Sequence, residues 1–270
     1  MTLAVIITYY NEVETIGEVV DAIAKTKTVF DLYLIDDCST KPPSDVLKRY
    51  SNEPWFHYLK NEKNMGPVYG LNRGIKKALE NGATFIAIND SDDITYDNRF
   101  PETMAAFDAD PDLMIVGGGA DFTDQETGEL LWQTNHPRDN EAIHRQNWLN
   151  SAFVHSTVTY RAEVFDKVGL YREGCYALDY DMITRVLTSG VKAANLPSIV
   201  LKYNVRKNSM SISKRRKQVS SRLGIQLRHF ALFNPMSWLG IMRSSLAYIA
   251  PNNMPSIAKT LLHKFKIKAS

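Results

Sequence analysis

The densest chemistry in this 270-residue chain lies at Asp90-Ser91-Asp92-Asp93, where three carboxylates fall within four residues. Charge at that density repels itself unless a cation relieves it. Hard divalent ions such as Mg2+ or Mn2+ suit such groups, because they take one or two carboxylates and leave their other positions to water and phosphate oxygens. The ordinary alternative is a solvated turn with Asp93 capping a helix. Two further polar clusters follow short apolar runs, Thr8-Tyr9-Tyr10-Asn11-Glu12 and Asp36-Asp37-Cys38-Ser39-Thr40. Neither GxGxxG nor GxxxxGK[ST] is present, which argues against a dinucleotide fingerprint and a common ATPase phosphate loop. Phosphate charge would have to be met by a metal on the Asp cluster.

The elements around these clusters follow from periodicity. Residues 3–8 (LAVIIT) are apolar and rich in β-branched side chains, suited to a strand buried on both faces. A helix follows, with Asn11 in the capping place, Glu14 three residues on, and Ile16, Val19, Val20 and Ile23 on one face. Residues 32–35 read as a second strand ending at Asp36-Asp37, residues 42–50 as a short helix, and 56–59 as a weaker third strand. After the loop 61–66, a helix through Leu71, Ile75, Ala78 and Leu79 stops at Asn81-Gly82. Residues 84–88 form a fourth strand running into the Asp cluster. This alternation predicts right-handed βαβ crossovers and a Rossmann-like, mainly parallel sheet flanked by helices. The polar clusters then sit at the carboxyl ends of strands, where such sheets bind ligands. Farther on, residues 113–116 read as a strand followed by Gly117-Gly118-Gly119, residues 124–129 as a turn between strands, and 162–168 and 179–187 as helices ended near Gly169 and Gly190.

Composition bounds the rest. With 44% hydrophobic and 23% charged residues the chain is neither disordered, collagen-like nor a coiled coil. Two cysteines, Cys38 and Cys175, provide no disulfide framework and no four-ligand zinc site, and residues after Met1 lack the order of a secretory signal. A cytoplasmic location is the expectation. The formal net charge of +2 hides an asymmetry, since residues 201–270 hold 14 of the 32 basic residues and no acid. Such a tail suits a polyanion, an anionic membrane face rather than nucleic acid, because its Lys and Arg lie among Leu, Ile and Met and no nucleic-acid motif is present. No apolar run reaches the ~20 residues of a spanning helix. Arg243 interrupts the best candidate, residues 238–249.

Taken together, Thr8 to Glu12, Ile35 to Thr40, Asn64-Met65-Gly66 with Asn72 and Gly74, and Asp90 to Asp93 resemble glycosyltransferase family 2, whose members are inverting enzymes of the GT-A fold. The second half is similar too: His155-Ser156-Thr157-Val158, Tyr160-Arg161, Val168-Gly169-Leu170-Tyr171, Asp179-Tyr180-Asp181 with Arg185, and Tyr203 with Ser209-Met210-Ser211. The resemblance spans residues 3–211. It implies an α/β, GT-A catalytic domain over residues 1–211, followed by a basic helical C-terminal extension over 212–270.

The resemblance also implies roles. Thr8, Tyr10 and Glu12 would line the nucleotide pocket, Tyr10 offering its ring to the base. Asp37, or failing that Asp36, would accept a hydrogen bond from a uracil-type ring N–H. Asp90 would face ribose and metal and Asp92 the metal, a divalent Mn2+ or Mg2+, with Asp93 able to stand in for either. Read singly, Tyr10 is equally a packed aromatic and Asp37 a turn former. The family's Glu-Asp pair is Leu178-Asp179 here, so its glutamate is missing; Asp179 is the candidate general base and Asp181 its rival, which could instead stabilise the positive end of a helix. His155 stays outside the set. The loop carrying Asn204, Arg206, Lys207, Asn208 and Ser209 would close over a diphosphate. Beyond it, Leu223, Leu227, Phe230 and Ala231 fall at helical spacing, fitting either an interfacial helix or one packed on the body. The implied function is transfer of a sugar from a nucleotide-sugar donor, a UDP-sugar, to a glycan or lipid-linked acceptor in surface polysaccharide assembly. An inactive transferase-like scaffold and a nucleotidyltransferase acting on a sugar phosphate are the alternatives.

Overall fold

A computed structural model describes residues 2–26, 28–134, 136–206 and 215–249. The first half is an alternating αβ unit. Strand β1 (Leu3–Tyr9) leads to α1 (Ile16–Ala24), β2 (Phe30–Asp36), α2 (Ser44–Tyr50), β3 (Phe56–Lys60), α3 (Pro67–Glu80) and β4 (Phe85–Asp90). β1 pairs in parallel with β2 on one side and β4 on the other, while β3 extends β2. The order β3-β2-β1-β4 reverses direction between β1 and β4. That reversal opens a crevice at the carboxyl ends of these two strands, where Thr8 is paired with Asp90.

The second half extends the sheet. A two-residue strand, β5 (Ile94–Thr95), and α4 (Arg99–Ala109) precede β6 (Leu113–Asp124), β7 (Leu130–Gln133) and α5 (Asn140–Asn147). A 3-10 turn at His155–Thr157 then leads to β8 (Thr159–Arg161), α6 (Glu163–Val168), α7 (Leu178–Thr188) and β9 (Lys192–Val205). The full order is β3-β2-β1-β4-β8-β6-β9-β5, with β7 on β6. β8, β7 and β5 run against their neighbours, so the sheet is mixed around a parallel core. Ile6, Ile86 and Ile88 bury one face with α3, α6 and α7; Val5, Ile7 and Ala87 bury the other with α1 and α4. Both faces are covered, as the continuous apolar runs require.

Two local expectations are corrected. Asn11 does not cap α1: it adopts φ 59°, its side chain accepts from Lys41 N and Thr40 Oγ1, and Thr15 precedes the helix. The Gly117-Gly118-Gly119 run does not end β6 but lies inside it. Cβ atoms there would stand 2.5 to 2.6 Å from Phe153, Val200 and Ile199, so absent side chains let neighbouring groups close on the strand.

Two helices complete the described chain, α8 (Arg215–Arg228) and α9 (Pro235–Ile249). α8 ends before Phe230 and Ala231, shorter than the sequence spacing suggests. It packs on α7: Ile225 is buried with Ala177 and Tyr180, and Gln226 donates to Trp148 O and Tyr180 Oη. Lys207, Asn208 and Ser209 of the expected closing loop, the Ser209-Met210-Ser211 motif, the 211/212 boundary, Lys214 and residues 250–270 lie outside the described residues.

Candidate active site

The end of β1 and the end of β4 bring the first carboxylates together. Glu12 accepts from Ser91 Oγ at 3.0 Å and from both terminal nitrogens of Arg206 at 2.7 Å. Arg206 Nε also lies 2.9 Å from Asp92 Oδ2. A single guanidinium thus stands between Glu12 and Asp92. Even with that partner, burial and the neighbouring Asp90 push the Asp92 carboxyl up from 3.8 to about 7. The cluster carries more negative charge than its own arginine neutralises.

Asp90, half-buried, accepts from Ser156 Oγ at 2.8 Å, which ties the β4 end to the 3-10 turn. Asp93 does something different. It is fully buried, accepts from Asn204 N, and is pushed well above the usual carboxylate range by burial, Asp90 and Asp92. Asn204 Nδ2 also donates to Asp92 O. Asp93 therefore fastens β9 beneath the cluster and does not reach the cleft surface, where it was expected to be able to replace Asp90 or Asp92. Buried Arg99 sits behind it, donating to Asn89 Oδ1, Thr95 Oγ1 and Ile88 O.

Among the described residues no three His, Cys, Asp or Glu side chains are placed to hold a metal by themselves. The donor set nonetheless fits a hard divalent ion, since Asp90 and Asp92 offer oxygens in a site with surplus negative charge, and such ions complete their shell with phosphate oxygens.

The β2 end supplies a different kind of carboxylate. Asp36 is buried and accepts from Ser39 N and Tyr58 Oη. Asp37, 4% exposed, accepts from Asn61 Nδ2, Met65 N and Gly66 N at 2.7 to 2.8 Å. Gly66 reaches this position at φ 84°, which favours a residue without Cβ. Asp37 thus folds the loop 61–66 over the β2 end. Thr8 is half-buried against α3, and Tyr10 is 48% exposed at the crevice mouth.

Across the crevice stands α7, and it separates the two rival aspartates. Asp181 is 1% exposed and surrounded by arginines: Arg185 at 2.8 Å, Arg172 at 3.2 Å and Arg228 at 3.6 Å. Asp179, on the same first turn, is half-exposed and makes no hydrogen bond or ion pair with any described residue. Its charge nevertheless reaches Tyr171 and Tyr203, which also feel Asp90. Both tyrosines are raised chiefly by burial and then by these surrounding charges. His155 Nε2 is 2.9 Å from Tyr171 Oη, and Asn72 brackets Tyr171 through its backbone N and O. Sequence reasoning missed Ser91 and Ser156 as carboxylate partners and placed Arg206 only in a basic loop; the motifs containing them were visible, their cross-chain bonds were not.

Comparison with known proteins bears on the family and the fold. The model of "Glycosyl transferase family 2" matches residues 4–169. The chain is 27% identical over 212 residues to the amylovoran biosynthesis glycosyltransferase AmsE of Erwinia amylovora, covering 77% of this chain and 76% of that one. In fold it resembles Staphylococcus aureus TarS bound to UDP-GlcNAc, with TM-score 0.69, 18% identity, and coverage of 92% of this chain and 70% of TarS. It also resembles the mannosyltransferase PcManGT of Pyrobaculum calidifontis in complex with GDP-Man and Mn2+, with TM-score 0.65, 15% identity, and coverage of 99% and 80%.

Proposed function

The chain belongs to glycosyl transferase family 2 and is a glycosyltransferase of GT-A architecture, and from that premise we propose that it moves a sugar, with inversion, from a UDP-sugar to a lipid-linked glycan in surface polysaccharide assembly. The observation carrying this reading is the contrast on α7. Asp181 is held by three arginines, whereas Asp179 makes no hydrogen bond or ion pair with a described residue, and its charge, like that of Asp90, reaches Tyr171.

In this reading Thr8, Tyr10, Glu12 and Asp37 frame the nucleotide. Tyr10 presents an exposed ring to the base, and Asp37, already holding three donors, keeps one lone pair for a ring N–H. Asp90 and Asp92 would hold Mn2+ or Mg2+. When bound, that ion neutralises charge developing on the departing diphosphate. Asp179 accepts the acceptor hydroxyl proton as the oxygen attacks the anomeric carbon from the face opposite the diphosphate. The new C–O bond forms while the bond to phosphate oxygen breaks, and the nucleoside diphosphate leaves with that electron pair. Arg206 is placed to leave Glu12 and Asp92 for the diphosphate once donor and metal arrive. AmsE is named for amylovoran biosynthesis, and TarS and PcManGT hold UDP-GlcNAc and GDP-Man; these support the donor and polymer classes by likeness.

The residues 1–211 and 212–270 divide catalysis from attachment in this reading, at the cytoplasmic side of a membrane. α9 carries the attachment surface. Its small residues Ser237, Gly240 and Ser244 are buried, while Trp238, Leu239, Met242, Leu246 and Ile249 are exposed. That inverts the usual amphipathic arrangement. With Arg and Lys and no acid in residues 201–270, the complementary occupant is an anionic bilayer surface. No described helix is long and apolar enough to cross one.

Purified protein incubated with nucleotide sugars and Mn2+ or Mg2+ tests the transferase reading. Slow metal-dependent release of UDP from at least one UDP-sugar is expected. Absence of both donor hydrolysis and metal-enhanced UDP binding would instead indicate an inactive scaffold.

A further inference from the structure

The 3-10 turn His155–Thr157 is fastened to the end of β4 by side chains as well as backbone. β8 runs against β4 at Phe85 to Ala87, and Ile88 N donates to Val158 O, so the residues before β8 continue along the end of β4. Ser156, fully buried, donates from Oγ to Asp90 Oδ2 at 2.8 Å. Thr157 Oγ1 donates to Val154 O and accepts from Gly118 N, which fixes the turn on β6 too. His155 is therefore held one residue from the contact with Asp90. Unlike its two neighbours in the turn, it is only half-buried.

The direction of the hydrogen bonds behind this imidazole follows from burial. His155 Nε2 lies 2.9 Å from Tyr171 Oη, and the two rings meet edge-on at 82°. Tyr160 Oη is 3.4 Å from Tyr171 Oη and has no other hydrogen-bond partner among the described residues. Tyr160 is fully buried, and burial keeps both phenols protonated. Its hydroxyl hydrogen therefore goes to Tyr171, and Tyr171 gives its own to His155 Nε2. The reverse order would strand the Tyr160 hydrogen in the core without an acceptor, which buried hydroxyls avoid. With Nε2 accepting, the ring carries its proton on Nδ1. No described residue accepts from that N–H.

We infer that His155 Nδ1–H donates a hydrogen bond to a β-phosphate oxygen of the sugar donor, and that Tyr171 is the positioning residue that holds the imidazole in this tautomer. This rests on the glycosyl-transfer reading and adds two residues to it. A sugar or ribose hydroxyl brings a hydrogen of its own and can pair with the carboxylates of the cluster; a diphosphate brings acceptor oxygens alone and needs N–H or O–H groups beside it. Arg206 supplies such donors next to Asp92, and His155 supplies one next to Asp90. As the bond from the anomeric carbon breaks, its electron pair passes to the phosphate oxygen and the acceptor value of the β-phosphate rises. A donor already aimed and tautomerically fixed gains strength at that moment without reorganising. The proton stays on Nδ1 throughout.

The test compares UDP with UMP, which lacks the β-phosphate, by calorimetric titration of the full chain at one fixed Mn2+ concentration. His155→Phe is expected to lose about tenfold in UDP affinity and to match wild type for UMP, which also reports that the variant is folded. His155→Asn, whose amide N–H can take the place of Nδ1–H, should keep part of the UDP affinity. Tyr171→Phe should fall between His155→Phe and wild type for UDP and leave UMP unchanged. Imidazole 15N shifts add a readout independent of binding: wild type should show the Nδ1–H tautomer at His155, and Tyr171→Phe should lose that preference. UDP and UMP affinities that are both unchanged, or both lowered equally, in His155→Phe overturn the β-phosphate contact. An Nε2–H tautomer in wild type, or unaltered 15N shifts and UDP affinity in Tyr171→Phe, overturns the positioning role. Failure of wild type to bind UDP or to hydrolyse any nucleotide sugar would instead overturn the transferase reading itself, a separable outcome.

Discussion

At the scale of single residues, environment sorts carboxylates that the sequence only ranks. Asp179 and Asp181 are two positions apart on one helix, yet only Asp181 is buried among arginines. Removing its charge leaves Arg185 buried without a counter-charge, so Asp181→Asn should lose roughly 3 kcal/mol of stability in a denaturant titration. Asp179→Asn should lose almost none. The chain favours Asp179 but does not show why, because Arg172 and Arg228 reach Asp181 only through tertiary packing. Asp92 gives a pH signature. Its folded value of about 7 lies above the ordinary 3.8, so the folded state holds a proton there that the unfolded chain has released. Stability without metal therefore falls as pH rises from about 4 to about 7. In EDTA, Asp92→Asn should gain on wild type across that window, on the order of 1 to 2 kcal/mol by pH 8, with no gain at pH 3. Metal-enhanced UDP binding should weaken below about pH 7 as Asp92 protonates.

At the scale of elements, the parallel core β3-β2-β1-β4 was legible because β1 and β4 are apolar runs and all four strands alternate with helical patterns. Its carboxyl ends were legible for the same reason, and the candidate donor residues Thr8, Tyr10, Glu12, Asp37, Asp90 and Asp92 all lie there. What could not be read is close approach. Gly117 to Gly119 look like a turn in sequence, but they are strand residues over which Phe153, Val200 and Ile199 close. Likewise Asn11 has a capping residue's chemistry, and its side chain accepts from the Thr40 hydroxyl and Lys41 N instead. The loop 61–66 offers a test at this scale. Asp37→Ala removes the acceptor for Asn61, Met65 and Gly66, and should cost about 2 kcal/mol while raising amide exchange across residues 61–66. Unchanged exchange there would mean that the loop is held by other contacts.

At the scale of the whole molecule, charge and hydrophobicity are distributed by function. The acidic residues all lie in the first 200, and the basic extension runs from its contact with α7 through α8 to α9. The sequence marked the extension as basic and left its first helix either interfacial or packed on the body; it packs on α7. The exposed apolar stripe is on the second. Met242→Ser with Leu246→Ser should therefore reduce sedimentation with vesicles containing phosphatidylglycerol several-fold and leave soluble-donor hydrolysis intact. Unchanged sedimentation would remove α9 as the contact. The turn before it adds Phe233, which is 96% exposed. A lipid-held acceptor would approach the side of the cleft where α7 carries Asp179, since α8 joins the two.

The central claim is that carboxylates from the two halves of the chain serve one inverting transfer, Asp90 and Asp92 at the donor and Asp179 at the acceptor. Proton NMR of the sugar released from a turned-over UDP-sugar, run on wild type, Asp179→Asn and Asp181→Asn alongside UDP affinity, measures it directly. The account predicts that wild type first releases the inverted anomer, that Asp179→Asn binds UDP normally and turns over at least about a hundredfold more slowly, and that folded Asp181→Asn keeps turning over. Turnover by Asp179→Asn at the wild-type rate, or first release of the retained anomer, would contradict it.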